Sequence, residues 1–261
     1  MKTLDDVPES VRRSATRLRD GLVDLLGDDL TAVWLYGAPL FGPHFLDIDL
    51  HVLLKRPPTP QEGTTIRDLH ERIERDTQWP LESRGNELDS WYVLLEAARR
   101  SEPPANVGPW NPGLRDEHWP LHRAHWLAGA CVVVHGLSPA QVVPLPTWEE
   151  LATTLRAEAA EAANHLDRGS AYWTLQLCRV LASLETRDVV RSKLDSGEWA
   201  IGRLPPQTHA IIRAAERFYT GEARADDQRL IAQSFAGFYE AVRPRIDQAL
   251  GRGASAGQAS A

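Results

Sequence analysis

One stretch of the chain, residues 33–54, limits the possible folds more strongly than any other. It starts with the apolar, β-rich run Val-Trp-Leu-Tyr, is interrupted by Gly37 and Gly42, and regains strand character from residue 46 to residue 54. β-rich runs separated by glycine and proline are typical of strands joined by a short connection. The stretch is therefore predicted to form a strand, a turn and a second strand, and Pro39 suits the first position of a short helix in the turn.

Two aspartates, Asp47 and Asp49, lie in the second predicted strand. Residues two apart in a strand share a face, so both carboxylates are expected to point one way while Ile48 and Leu50 point the other. Two carboxylates this close repel each other unless a cation lies between them. Magnesium binds oxygen ligands, usually one or two carboxylates together with substrate phosphates. The pattern therefore favours a metal–nucleotide site over a solvated surface strand.

The turn between the two strands has features of a phosphate-binding segment. Gly37 lets the backbone come close to a ligand, and backbone N–H groups of a turn or a helix N-terminus attract phosphate. Asp-x-Asp alone is common, but here it follows Gly-x-x-x-x-Gly within a strand-turn-strand unit. This combination is much more specific than either part.

Size and composition restrict the class of protein. A chain of 261 residues with 43% hydrophobic and 25% charged residues can form one large or two small soluble domains. No apolar run approaches the roughly 18 residues needed to span a membrane, and the N-terminus lacks the apolar core of a signal peptide. We therefore expect no membrane partner.

The net charge and the cysteines narrow the partners and the compartment. A net charge of −7 argues against a nucleic-acid partner, which needs a basic surface, and is compatible with a cationic substrate. Cys131 and Cys178 lie far apart in apolar runs and are expected to be buried thiols rather than a disulfide. Such thiols fit a cytoplasmic protein.

The remaining chain is predicted to form two domains. Residues 1–146 are expected to be an α+β domain, a mixed sheet with flanking helices, and residues 147–250 an all-α helical bundle that begins at a Thr147 N-cap. A disordered tail is expected at 251–261. The predicted elements are helices at 7–27 and 61–77, strands at 88–95 and 130–134, a linker at 139–146, and helices near 148–166, 170–186, 206–221 and 226–249.

The motif at 33–54 resembles the nucleotidyltransferase motif of the polymerase-beta-like superfamily, whose usual form is Gly-Ser, a spacer, then Ser-Asp-x-Asp. The chain as a whole resembles the aminoglycoside 3''-adenylyltransferases, which modify streptomycin and spectinomycin. Two runs in the second half add to this resemblance: Ser-Lys-Leu-Asp-Ser-Gly-Glu-Trp-Ala from residue 192, and Ala-Ala-Glu-Arg-Phe-Tyr-Thr-Gly from residue 214. The resemblance covers roughly residues 10–250 and implies a nucleotidyltransferase domain followed by a C-terminal helical domain.

For the catalytic site, the resemblance implies that Asp47 and Asp49 hold magnesium, with two ions expected. A third carboxylate comes from the following strand in this family, where it completes the metal site or acts as the base. The match is Asp89, with Glu87 as the alternative two residues earlier. Asp89 is preferred because it lies inside the apolar strand.

For the nucleotide, the resemblance implies contacts with ATP from Gly37, Ala38, Lys193 and Tyr219. The family has serines at the positions of Ala38 and Leu46, where their hydroxyls contact the triphosphate. Loss of each hydrogen bond is expected to weaken nucleotide binding by roughly 1–3 kcal/mol if the groups are buried.

For the acceptor, the resemblance implies an aromatic residue that stacks on the antibiotic and an acid that binds its positive charge. Trp110 matches the aromatic residue, with Trp119 as the alternative. Asp167 is the nearest match to the acid, although the loop is shorter here, and the alternatives are Glu158 and Glu161.

The leading hypothesis is a magnesium-dependent enzyme that transfers AMP from ATP to a hydroxyl of a small, cationic, streptomycin- or spectinomycin-like molecule and releases pyrophosphate. The alternatives are a different small-molecule or protein acceptor, and a non-catalytic nucleotide-binding relative. We expect a monomer. The histidines at 118, 122 and 125 lack an evident third ligand, so no metal site is predicted there.

Overall fold

The computed structural model describes residues 2–45, 47–76 and 88–258, with side chains up to residue 251. The chain divides into two compact units, Met1–Pro146 and Thr147–Ala261. No helix in the described ranges is long and apolar enough to cross a membrane.

The first unit contains a four-stranded mixed sheet in the order β3-β2-β1-β4. β1 is antiparallel to both β2 and β4, and β2 is parallel to β3. A parallel pair requires a crossover connection, and a helix between β2 and β3 lies within it. This sheet confirms the predicted α+β class. The strands are β1 (Leu30–Tyr36), β2 (Ile48–Leu54), β3 (Leu88–Leu94) and β4 (Val132–Gly136).

Helices flank this sheet: α1 (Glu9–Leu26), α2 (Pro60–Asp76), the short α3 (Leu95–Ala98) and α4 (Trp119–Leu127). The apolar stripe of α1 includes Val11, Ala15, Leu18 and Leu22, and each is fully buried in the core of this unit. The stripe has the helical spacing that predicted this element. The turn predicted at 84–86 lies outside the described residues.

The second unit is helical: α5 (Trp148–Ala163), α6 (Ala171–Thr186), α7 (Lys193–Ile201), α8 (His209–Tyr219) and α9 (Asp227–Gln258). Thr147 caps α5 as predicted, since its side chain accepts a hydrogen bond from the Glu150 N–H. α9 continues past 249 to Gln258, into the segment predicted to be a disordered tail.

Helix α7 was missed in the sequence because Gly197 lies in its middle, where glycine lowers helix propensity. Packing requires that glycine: a Cβ there would lie 2.6 Å from Glu216 Oε1 and 3.1 Å from Leu175 Cδ2. The helix starts from Ser192, whose side chain accepts a hydrogen bond from the Asp195 N–H. The contacts with Glu216 and Leu175 therefore explain why glycine, a poor helix former, occupies position 197.

Candidate active site

Three carboxylates predicted to act together lie on one side of the sheet. Asp49 on β2 is the direct register partner of Asp89 on β3, and Asp47 immediately precedes β2, two residues from Asp49. Ile48 and Leu50 are completely buried on the opposite face, as the alternation of side chains predicted. The alternative third carboxylate, Glu87, lies outside the described residues.

The pKa of the Asp89 carboxyl is affected by its acidic neighbours. Desolvation raises its pKa above the usual range, the negative charges of Asp47 and Asp116 raise it further, and His122 opposes them. By surface area Asp89 is nevertheless exposed to water. The raised pKa of Asp89 is therefore a consequence of the neighbouring acids as well as of desolvation.

Gly37 lies directly against the second aspartate. Its φ is +81°, and a Cβ at this position would lie only 1.7 Å from Asp49 Oδ2. Tyr36, the preceding residue, is the register partner of Asp49, and a 3-10 helix over Ala38–Leu40 follows. The predicted glycine turn therefore meets the carboxylates, as a phosphate-binding segment beside a metal site requires.

The pKa of Tyr36 is sensitive to four acids that lie near it. Burial raises the pKa of its hydroxyl well above the usual value, and the charges of Asp49, Asp116, Asp89 and Asp47 raise it further. Asp116 is the member that the sequence did not reveal. It lies in the loop that precedes α4 and is 1% exposed.

Asp116 connects two histidines beside the acidic face, since His51 is two residues from Asp49 on β2. Its Oδ2 accepts hydrogen bonds from His51 Nε2 at 3.2 Å and from His122 Nδ1 at 2.9 Å. Burial lowers the pKa of His51 to about 4 even though Asp116 opposes that shift. Burial would raise the pKa of Asp116, but His122 and the two hydrogen bonds hold it well below its usual range. His51 is thus neutral and Asp116 ionised at neutral pH.

A cavity of about 440 Å³ lies at the outer edge of β3, next to the carboxylates. Its lining includes Asp89, the acids Glu71 and Glu74 of α2, and Trp110. Trp110 is half-buried, with its ring centroid 4.5 Å from that of His70. The alternative to it, Trp119, is completely buried in the core.

In the helical unit, the structure brings the predicted lysine and tyrosine together. Lys193 Nζ lies 5.6 Å from the ring centroid of Tyr219 and 4.2 Å from that of Tyr172. Tyr172, which is 40% exposed, was missed because its position on α6 shows no motif. A lysine over two aromatic rings is held by cation–π attraction.

The predicted acceptor-binding acids differ in their surroundings. Asp167 is exposed and lies 3.5 Å from Arg168 in an ion pair. Glu158 is buried, and its Oε2 accepts a hydrogen bond from Gln176 Nε2 at 2.5 Å. Glu158 is therefore in a buried hydrogen-bonded pair, whereas Asp167 is exposed. Glu161 pairs with Asn164 and His165 on the same helix.

The residues of the acidic face suit magnesium. Three carboxylates on one side of the sheet offer the hard oxygen ligands that this ion prefers. Asp47 and Asp49 are therefore the residues that would hold it, and Asp89 beside them would either complete the metal site or act as the base.

Comparison with known proteins finds one family model and solved structures similar to this chain. Residues 142–241 match the family model described as "Aminoglycoside adenylyltransferase, C-terminal domain". The fold is similar to that in the crystal structure of spectinomycin adenyltransferase AAD(9) from Enterococcus faecialis with ATP and spectinomycin. The TM-score is 0.71 and the sequence identity 15%, over 88% of this chain and 98% of that chain. No curated protein matches the chain.

The fold of the chain is therefore that of the solved adenyltransferase, and its helical part resembles the C-terminal domain of aminoglycoside adenylyltransferases. The resemblance found in the sequence is confirmed by these two matches.

Proposed function

We propose that the protein transfers AMP from ATP to a hydroxyl of a streptomycin- or spectinomycin-like molecule in a magnesium-dependent reaction that releases pyrophosphate. The observation that supports this most strongly is the in-register pair Asp49 and Asp89, with Asp47 on the same face and Gly37 against Asp49. This arrangement joins a cation site to a segment that a phosphate can approach closely.

Each carboxylate has a distinct role in this proposal. Asp47 and Asp49 hold the metal, which supplies charge stabilisation for the attacking and leaving oxygens of an in-line displacement. Asp89 accepts the proton of the attacking hydroxyl. A raised pKa suits this role, because a base is most effective when its pKa approaches the working pH.

The helical unit contributes to ATP binding through Lys193 and Tyr219. A lysine ammonium suits a triphosphate because it is a compact positive charge. The contact between Lys193 and the rings of Tyr172 and Tyr219 holds the lysine in a defined place before the nucleotide arrives. Domain 1–146 thus supplies the catalytic carboxylates in this proposal, and domain 147–250 supplies nucleotide and acceptor contacts, with Asp167 the candidate acceptor contact there.

The cavity beside Asp89 is the proposed acceptor pocket. Glu71, Glu74 and Asp89 give it negative charge, and Trp110 gives it an aromatic wall. Desolvation raises the pKa of Glu74, and the charge of Glu71 adds to that shift. A small molecule with amino or guanidino groups and hydroxyls would relieve this repulsion.

The test is incubation of the protein with ATP, magnesium and either streptomycin or spectinomycin, followed by mass spectrometry of the drug. We expect a product heavier by one AMP group, and its loss in Asp49→Asn. The matched control is Asp24→Asn, which removes an exposed carboxylate on α1. Absence of product with both drugs would exclude these two acceptors.

A different acceptor is the second candidate, because Asp167 is exposed and paired with Arg168. A panel of hydroxyl-bearing amines in the same assay separates the two candidates. Pyrophosphate release that requires Asp49, with no adenylylated drug, would favour this second one. If no acceptor gives pyrophosphate, the remaining alternative is a nucleotide-binding relative that has no catalytic activity.

A further inference from the structure

His51, Asp116 and His122 form a compact group that the adenylyl-transfer proposal does not use. Each offers one nitrogen or oxygen atom, and these three atoms lie within 4.8 Å of one another. His51 is completely buried, Asp116 is 1% exposed, and His122 is about one-fifth exposed. We call this group the His–Asp–His cluster.

The charge balance of the cluster is unusual. Asp116 is a buried carboxylate whose Oδ2 is in contact with both imidazoles. Its hydrogen bonds to His51 and His122 are not accompanied by one from a lysine or arginine side chain in the described residues. An ionised carboxylate taken out of water costs several kcal/mol unless a positive charge compensates it.

The chemistry of the ligand atoms selects the type of cation. Two imidazole nitrogens with one carboxylate oxygen are typical of zinc and other divalent transition metals, whereas magnesium prefers oxygen ligands. The separations of Asp116 Oδ2 from the two nitrogens, 3.2 and 2.9 Å, are close to the spacing of ligands around one such ion. Metal–ligand distances of about 2 Å place neighbouring tetrahedral ligands at about this separation.

The surroundings support the same assignment. Asp116 Oδ1 accepts a hydrogen bond from the His118 N–H at 3.1 Å, which fixes the carboxylate and leaves Oδ2 for the ion, as the partners of metal ligands commonly do. Trp119 and Trp126 pack around His51 and make the inner side apolar. The partly exposed His122 provides the side from which an ion can enter.

We propose that the His–Asp–His cluster is a second metal site, which binds one zinc or a similar transition-metal ion separately from the magnesium held by Asp47 and Asp49. His51 lies on β2, Asp116 precedes α4, and His122 lies on α4. The ion would therefore connect α4 to the strand that bears Asp49.

The test uses the full chain, freed of metal with a chelator and titrated with Co²⁺, because cobalt bound to imidazole nitrogens gives visible absorption and magnesium does not. We expect one equivalent of Co²⁺ to give this absorption and Zn²⁺ to abolish it by displacement. Asp116→Asn is expected to lower Co²⁺ affinity by roughly 100-fold, since changes to the partners of ligands alone cost 10–100-fold. Asp49→Asn is expected to retain the absorption.

His122→Gln is the second variant, and circular dichroism checks that each variant is folded. The partly exposed His122 allows this change with less disruption of packing than a change at Asp116. The proposal is overturned if Co²⁺ gives no absorption, or if His122→Gln keeps the absorption and affinity unchanged. It is also overturned if Asp49→Asn abolishes binding, because that would place the ion at the catalytic carboxylates. None of these measurements depends on adenylyl transfer.

Discussion

At the scale of single residues, the candidate site contains positions where the addition of a single side-chain atom would change the geometry. Gly37 shows this most directly, since its positive φ and the nearby Asp49 carboxylate each exclude a side chain. The serine of the family is replaced by Ala38, so backbone groups near Gly37 are the part of the turn left to meet a phosphate. Leu46, the other replaced serine, lies outside the described residues.

Gly37→Ala is expected to reduce turnover by at least roughly tenfold, because its Cβ must displace the Asp49 carboxylate, and errors of about 1 Å at a site can cost 100-fold. The strained φ should also cost about 1–2 kcal/mol of stability. The measurements are kcat with ATP and a denaturant unfolding curve. Gly221→Ala is the matched control: its φ is +74° with no atom within 4 Å, so it should lose stability only. Equal turnover in both variants would contradict the steric argument.

A second prediction at this scale concerns pH. Burial lowers the pKa of His70 in the folded protein to about 4 from 6.5, and its ring is hydrogen-bonded to the Tyr92 hydroxyl at 2.9 Å. The unfolded chain therefore binds the proton first, and stability should fall as the pH drops from 6.5 towards 4, by about 3 kcal/mol from this group. His70→Gln should flatten the slope of Tm against pH in that window. The exposed control His44→Gln should keep the slope, and an unchanged slope in His70→Gln would contradict the assignment.

At the scale of elements, packing overrides local preference in the helical unit. α7 begins with Lys193 and contains Gly197, and it is stabilised by its cap and its neighbours rather than by its composition. α9 contains Gly237, which has open space around it. Packing therefore requires a glycine at 197 in α7, whereas nothing in the described surroundings requires one at 237 in α9.

Gly→Ala substitutions at these two positions should therefore change stability in opposite directions. Gly237→Ala should stabilise the protein by about 0.5–1 kcal/mol, because alanine is the better helix former. Gly197→Ala should destabilise it, because the new Cβ meets Glu216 and Leu175. Urea unfolding of both variants measures the difference. Stabilisation by Gly197→Ala would show that Glu216 moves aside at little cost.

At the scale of the whole molecule, the proposed function needs residues from both units. The carboxylates lie in the first unit, and Lys193 with Tyr172 and Tyr219 lies in the second. Neither group of residues alone accounts for metal-dependent use of ATP.

Lys193→Ala should weaken ATP binding by roughly 1.5–3 kcal/mol, the usual contribution of a hydrogen bond to a charged group. Isothermal titration with ATP and magnesium measures the change in Kd. Lys55→Ala, an exposed lysine in the first unit, is the matched control and should bind ATP like the unchanged protein. Equal affinity in the two variants would remove Lys193 from the nucleotide site.

The sequence by itself determined the features of this protein that depend on a few neighbouring residues, such as the alternation of side chains along a strand and the cap of a helix. Alternation along β2 placed Asp47 and Asp49 opposite Ile48 and Leu50, and the Thr147 hydroxyl predicted the start of α5. These features depend on backbone geometry within a few residues, which the order of residue types specifies.

Tertiary structure alone decided which distant residues meet. His51 and Asp116 are 65 positions apart, and nothing local relates them. Tyr172 meets Lys193, and Trp119 rather than Trp110 fills the core, because the chain closes loops and buries apolar surface as a whole. Such contacts depend on the summed free energy of packing over the whole chain. Local spacing therefore predicted the three carboxylates on one face of the sheet, but it did not predict that His51 and His122 meet at Asp116 beside them.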